Sequence, residues 1–246
     1  MFMFMLLAVI SLRLFVGEIC TVPSPSMSPT IITGDWLWID KVTYGAQLPR
    51  RFADIPVINV FTWIKSLRLA DEKNDWGDKR LKGLRMPCIN DVAVFQSPEY
   101  PFNLLVKRIS AIISKGDTIF LNMNNYDAMQ SIILYEGYDI SFRNDSIFLN
   151  RTPDSICVVS QPYYYMRGDN SSNSVDSRAF GYIPFSSIVG RMNCVVFSLN
   201  TDNNLFDMFR WNRFFKTIAP TTKSTKRCNP DSFLCALCEK LCVLCG

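Results

Sequence analysis

The sequence predicts a mostly β chain behind an apolar N-terminal helix. Three observations carry this. Apolar and polar residues alternate along several short runs. Turn-forming residues separate those runs at short intervals. Residues 1–17, MFMFMLLAVISLRLFVG, are interrupted only by Ser11, Arg13 and Gly17.

The N-terminal run is at the short limit for a membrane span, which needs about 20 apolar residues and at least about 17. Arg13 lies near one end, where a long stem lets its charge snorkel to the interface. No basic residue precedes the run and no small-x-small site follows it, which argues against a cleaved secretory signal. Glu18, just ahead of Cys20, argues against a lipoprotein signal. Residues 1–19 are therefore read as an uncleaved transmembrane anchor. With no Lys or Arg ahead of the run, the positive-inside rule sets no orientation.

The turn-rich stretch TVPSPSMSPT (21–30) follows. Residues 31–45 alternate as a strand, with Trp36, Trp38 and Asp40 on one face and Leu37, Ile39 and Lys41 on the other. Residues 46–87 carry Pro49, Pro56, Pro87 and the charged patch DEKNDWGDKR, and read as loops with one short helix. Strands are expected over 90–95, 103–113 and 118–123, with a turn at 114–117. Residues 131–140 and 146–150 read as a further β-ribbon. Residues 167–178, RGDNSSNSVDSR, form a loop of Asx-turn residues. Strand resumes over 180–199.

Composition narrows the chemistry. The chain has no histidine. A Ser-His-Asp triad, a Cys-His dyad and a His-ligated zinc hydrolase are all excluded. A nucleophilic hydrolase of this composition must use a lysine, a carboxylate or the terminal amine as base. The net charge of +4 is mild, and no basic, aromatic-interleaved stripe tracks a phosphate backbone. No nucleic-acid partner is expected. The nine cysteines are odd in number and fit no small disulfide scaffold.

Three features are candidates for a site. Ser26 sits between two prolines, which stiffen a loop and can hold a hydroxyl in place; a plain Pro/Ser linker has the same composition. Lys107 shares a strand face with Leu105, Ile109 and Ala111. Desolvation there lowers an amine's pKa and makes it a base near neutrality; an edge lysine that blocks aggregation is the alternative. In the loop 168–178, Asp176 and Arg178 are spaced to pair and stiffen the turn; a solvated hairpin tip is the alternative.

Taken in order, PSPSMSPT, GDWLWIDKVTYG, NDVAVF, LLVKR and GDNSSNSVDSRAFGYIP resemble the type I signal peptidases, membrane-bound serine proteases with a Ser–Lys dyad. The matching parts span roughly residues 10–45, 90–117 and 163–192. The resemblance implies a signal-peptidase-type antiparallel β-sheet catalytic domain with a β-rich insertion, behind an N-terminal transmembrane helix. The implied boundaries are an anchor over 1–19, an extracytoplasmic domain over 20–200 with insertions at 46–89 and 118–162, and a tail over 201–246.

The implied roles follow the motifs. Ser26 is the acylating nucleophile and Lys107 the general base. Ser174 orients the lysine amine. Ser24 lends its hydroxyl to the oxyanion hole beside the Ser26 N–H. Asp169, Asp176 and Arg178 hold the loop. Val22, Pro23, Met27, Ile31 and Val106 line pockets for small side chains. The implied activity is removal of signal peptides after Ala-x-Ala sites in exported preproteins, by a monomer in the bacterial cytoplasmic membrane that faces the extracytoplasmic side. No cofactor or metal is implied.

The sequence departs from the family in three places. Pro25 immediately precedes the nucleophile. Ser171 and Ser172 stand where the family has Arg-Asp, which puts any ion pair there in doubt. The stretch 109–117 is longer than the family's usual turn, so the lysine strand runs on. Two other readings remain open: a catalytically silent membrane scaffold of this fold, which Ser26, Lys107 and Ser174 argue against and Pro25 keeps open, and a self-cleaving Ser–Lys protease.

Residues 206–227 mix five aromatics with six basic residues, which suits either a membrane-surface segment or a helix packed on the core. The end, CALCEKLCVLCG, places four thiols along one face of a helix. One straight helix does not surround a tetrahedral ion, so a greasy or acylated tail is expected over a metal site.

Overall fold

Alternation along strand 35–40 sets the register of the whole sheet. The computed structural model describes residues 1–55, 63–99, 103–122, 125–143, 146–149, 156–200 and 208–218. In chain order the strands are β1 (Gly17–Thr21), β2 (Asp35–Asp40), β3 (Val92–Gln96), β4 (Leu104–Ile113), β5 (Thr118–Phe120), β6 (Ile140–Arg143), β7 (Ser146–Leu149), β8 (Ile156–Val158), β9 (Tyr163–Arg167), β10 (Ile183–Pro184) and β11 (Ile188–Ser198). Seven of them form one antiparallel sheet in the order β1-β2-β11-β3-β4-β9-β10. In β2, Leu37 and Ile39 are fully buried while Trp36 and Trp38 are half-buried, the predicted alternation. Trp36 stacks on Phe197 of the neighbouring β11 with ring centroids 4.9 Å apart.

The sheet buries apolar side chains on both faces. One cluster gathers Tyr44, Ala93, Phe95, Ile109, Tyr164 and Met166. Another gathers Val22, Met27, Ile31, Leu37, Val92 and Val195. β4 lies between β3 and β9, well inside the sheet. It runs on to Ile113, as the long stretch after Lys107 predicts.

The 118–162 insertion is not all β. Residues expected to open a ribbon at 131 instead end helix α3 (Tyr126–Tyr135). Ile132 and Ile133 are fully buried against Leu121, Leu149 and Tyr163, and Tyr126 and Met129 pack on the same cluster. That spacing of three to four residues is helical, and the run of Ile-Ile-Leu-Tyr conceals it. Gly137, at φ +77, stops the helix. The Tyr138 N–H bonds the Ile133 carbonyl and the Gly137 N–H bonds that of Leu134, a Schellman end. The ribbon proper is β6 with β7, starting at Ile140. In the 46–87 insertion, α2 (Lys65–Glu72) is the expected short helix.

The N-terminus also differs from expectation. Helix α1 (Phe2–Ser11) continues as a π-helical turn over Leu12–Val16, and β1 then begins at Gly17, inside the segment 1–19 read as an anchor. Fifteen helical residues rise about 22 Å, short of a hydrocarbon core of about 30 Å. No described helix is long and apolar enough to cross a membrane.

At the other end, the described residues 208–218 are not a helix packed on the core. They run as an extended strap with one 3₁₀ turn at Trp211–Arg213, bridged to β11 at Cys194–Thr217. The cysteine-rich end and its expected metal-free state lie outside the described residues. Cys20, Cys157 and Cys194 are free thiols.

β3 is entered through a buried charge cluster that the sequence does not announce. Asp91, 4% exposed, accepts bonds from both Arg85 Nη atoms, at 2.7 and 2.9 Å, and from Tyr44 Oη at 2.8 Å. Burial pushes the Asp91 carboxyl up, but the Arg85 bonds and the charges of Arg85 and Arg191 outweigh it and hold the carboxyl low. Asp91→Ala is expected to cost about 2–4 kcal/mol of unfolding free energy, measured by urea titration.

Candidate active site

The site is assembled from three segments far apart in sequence. The first is the turn after β1. The Ser24 backbone is extended at φ −127, ψ 149, as a residue before proline prefers. Pro25–Met27 then make one 3₁₀ turn with Pro25 at its first position, where the missing N–H costs nothing. Met27 points inward, 1% exposed, and pins the turn to the apolar cluster beneath. Ser26, half-buried, is left at the rim, with its Oγ 3.2 Å from Ser24 Oγ. Asn170 fixes this turn from outside. Its backbone N–H bonds the Ser26 carbonyl at 3.1 Å and its side-chain amide bonds the Pro25 carbonyl at 3.3 Å. Residues 24–27 are a held turn and not a free linker.

The second segment is β4. Lys107 sits opposite Ala93 on β3 and is 3% exposed. An interior strand rules out the aggregation-blocking edge lysine. Its Nζ donates to Ser174 Oγ at 2.9 Å. Burial lowers the amine's pKa; the Asp176 carboxylate opposes this, and the Arg178 guanidinium works with burial. Arg108, on the other face of β4, grips Asp169 with a two-pronged pair at 2.8 and 2.7 Å.

The third segment is the loop 168–176. Thr30 Oγ1 donates to Asp169 Oδ2 at 2.6 Å, so Asp169 ties the serine turn to the lysine strand. Asp176 caps the short helix α4 (Ser177–Phe180) by accepting from the Arg178 N–H, and it also accepts from the Gly168 N–H at 3.1 Å. Arg178 Nε pairs with Asp176 at 2.8 Å and its Nη2 reaches the Ser171 and Ser174 carbonyls. These bonds keep Asp176 ionised, with its pKa lowered to about 2 even though burial raises it. Gly168 is the point of closest approach. A Cβ there would lie 2.1 Å from Ser174 Oγ and 2.7 Å from the Ser26 carbonyl oxygen.

The predicted residues thus form two side-chain pairs, one of two hydroxyls and one of an amine with a hydroxyl. Among the described residues the Ser26 hydroxyl bonds Ser24, while the Lys107 amine bonds Ser174. Catalytic hydrogen bonds are often long or unformed in a substrate-free site. Val22, Met27 and Ile31 share one buried cluster and Val106 packs on it, but Pro23 is exposed and outside it. Ser171 and Ser172 make no ion pair; Ser171 offers its carbonyl to Arg178 and Ser172 Oγ bonds Asn170 Oδ1. Sequence reasoning assigned no role to Thr30 or Asn170. Both sit inside quoted motifs, so proximity to Ser26 and Asp169 was the available signal.

The family described as "Signal peptidase, peptidase S26" matches residues 1–197. Similar curated proteins include Signal peptidase I of Aquifex aeolicus (strain VF5), 23% identical, covering 78% of this chain and 80% of that protein. Signal peptidase I of Buchnera aphidicola subsp. Acyrthosiphon pisum is 25% identical, covering 80% and 74%. Signal peptidase I of Helicobacter pylori (strain ATCC 700392 / 26695) is 25% identical, covering 87% and 90%.

Arg178 pairs with Asp176, the carboxylate whose charge opposes the lowering of the Lys107 pKa. Arg178→Met is therefore expected to raise the Lys107 pKa, and the pH dependence of its reductive methylation should move to higher pH.

Proposed function

Because this chain belongs to the signal peptidase S26 family, we propose that it cleaves its substrates with Ser26 as nucleophile and Lys107 as general base. The chain is a serine endopeptidase that removes signal peptides from preproteins. The observation that carries the assignment of residues is the buried Lys107 amine, bonded to a serine hydroxyl and held toward its neutral form.

The proposed chemistry is as follows. Ser26 Oγ gives its proton to neutral Lys107 Nζ and attacks the scissile carbonyl carbon. The oxyanion is met by the Ser26 N–H and the Ser24 hydroxyl, which already lies beside Ser26 Oγ. Lys107 returns the proton to the leaving amine, and the C–N bond breaks. The signal peptide stays as an ester on Ser26. Water then gives a proton to Lys107 and its oxygen to the acyl carbon; the ester C–O bond breaks and Lys107 returns the proton to Ser26 Oγ, which restores both groups. Ser174 holds the amine in line through both halves. Arg178 keeps the Asp176 charge occupied, so the lysine amine is held toward its neutral form.

Val22, Met27, Ile31 and Val106 are proposed to shape narrow apolar pockets. Their tight packing into one cluster favours Ala-sized side chains and rejects larger ones. We also place the chain at a lipid bilayer, on the extracytoplasmic side of the bacterial inner membrane, acting as a monomer. What supports the bilayer is the row of exposed apolar side chains on α1, among them Met3, Phe4, Met5, Leu7 and Val9. A silent scaffold would not need a desolvated lysine at this point of the sheet, which is costly to keep uncharged.

Ser26→Ala and Lys107→Ala are each expected to abolish cleavage of an Ala-x-Ala preprotein, while far-ultraviolet circular dichroism stays that of the parent. Cleavage by either variant would sink the dyad. A parent inert on several such substrates would favour the scaffold. The pH profile carries a sign. Only the neutral amine accepts the serine proton, and the folded pKa lies below the ordinary lysine value. The rate of the acylation step should rise with pH through a limb centred below that value, and a flat profile would contradict the neutral-amine step.

A further inference from the structure

The family match ends at residue 197, yet the strap of residues 208–218 bonds the chain over Thr30–Asp35, which lies just after the Ser26 turn. Its placement on the sheet is firm. The Val195 N–H bonds the Lys216 carbonyl at 2.9 Å and the Ile218 N–H bonds the Asn193 carbonyl at 2.9 Å. Ile218, 8% exposed, enters the same cluster as Met27 and Ile31.

Arg213 is the strap's buried charge, 8% exposed. It forms a fork on Asp35, which is fully buried, with Nε–Oδ1 at 2.9 Å and Nη2–Oδ2 at 2.5 Å. The same Nη2 bonds the Thr30 carbonyl at 3.1 Å. Asp35 Oδ2 in turn accepts from the Ile32 N–H at 2.9 Å. The backbone of 30–32 is therefore clamped from the strap side. Its other face carries the Thr30 hydroxyl to Asp169, which holds Arg108 beside Lys107.

We propose that Arg213 is a positioning residue of the peptidase: it fixes the Thr30 turn, and through Thr30 and Asp169 it sets the Ser26 turn against the Lys107 strand. The proposal rests on the Ser26–Lys107 reading. A guanidinium is needed because one planar group must serve two oxygens of Asp35 and a carbonyl at once. An ammonium matches the charge of Asp35 but does not span all three.

The experiment compares the full chain with Arg213→Lys, Thr30→Val and the double variant on an Ala-x-Ala preprotein, with Ser26→Ala and Lys107→Ala as references. Arg213→Lys avoids an unpaired buried Asp35, which truncation would leave at heavy cost to folding. The expected result is a kcat lowered about tenfold or more, since small misplacements of reacting groups cost that much. KM should change little, because core packing holds Val22 and Met27. The acid limb of kcat should move to higher pH as the loosened site admits water to Lys107. Thr30→Val should lower kcat similarly, and the double variant should be no worse than the poorer single one. If Arg213→Lys and Thr30→Val both turn over like the parent with the same acid limb, the proposal is overturned. Independent, multiplying losses in the double variant would also overturn it. If the two reference variants still cleave, the dyad itself is wrong and the strap proposal falls with it.

Discussion

A lysine amine held inside an antiparallel sheet is the constraint on which the rest of the molecule depends. Lys107 occupies an interior position of β4, opposite Ala93, where water is excluded. A charged ammonium is costly there, so the neutral form gains ground. Small residues must flank it, since a larger side chain at position 93 would fill the space that the lysine stem takes. The strand must also be paired on both sides, which is why β3 and β9 enclose it. A hydroxyl, and not a carboxylate, meets the amine. A carboxylate at 2.9 Å would stabilise the charged form and remove the base.

The polar network around the amine follows from that need. Asp176 lies close enough to raise the lysine pKa, and it is required to cap α4 and to hold the Gly168 N–H. Arg178 resolves the conflict by pairing with it. The same pattern recurs at Asp169, paired to Arg108, and at Asp35, paired to Arg213. Each acid that shapes the site has its own arginine. Buried charges in such pairs are weak sources of net stability, and their value is geometric. Here the geometry is that of three chain segments brought to one point.

Pro25 illustrates how a local departure is absorbed. A proline before the nucleophile removes an N–H and forces Ser24 into an extended backbone. The first position of a 3₁₀ turn needs no N–H, and an extended residue suits the entry to that turn. The Pro25 carbonyl is still used, by Asn170. The turn therefore keeps its shape and presents Ser26 at the rim.

Much of this was legible in the sequence. The missing histidine removed whole classes of hydrolase. The strands read over 31–45, 90–95 and 103–113 were located, and the alternation along 35–40 was readable because period-two burial is a local property. The Ser26, Lys107 and 168–178 segments carried the candidate residues, and the Asp176–Arg178 pair was readable because its members are two residues apart. Other features depended on contacts that no local pattern encodes. Helix α3 was hidden because Ile-Ile-Leu-Tyr suits a strand as well as a helix, and only its packing against Leu121, Leu149 and Tyr163 decides between them. The length of the N-terminal helix was decided by β1, which takes Gly17–Thr21 into the sheet through pairing with Trp36–Asp40. The Arg213–Asp35 clamp joins residues 178 positions apart, and neither looks unusual among the chain's 26 basic and 22 acidic side chains. Residue types and spacing thus determined the chemistry that this chain can perform. Tertiary structure alone decided which charges are paired and buried, because burial belongs to the assembled sheet and to no single segment.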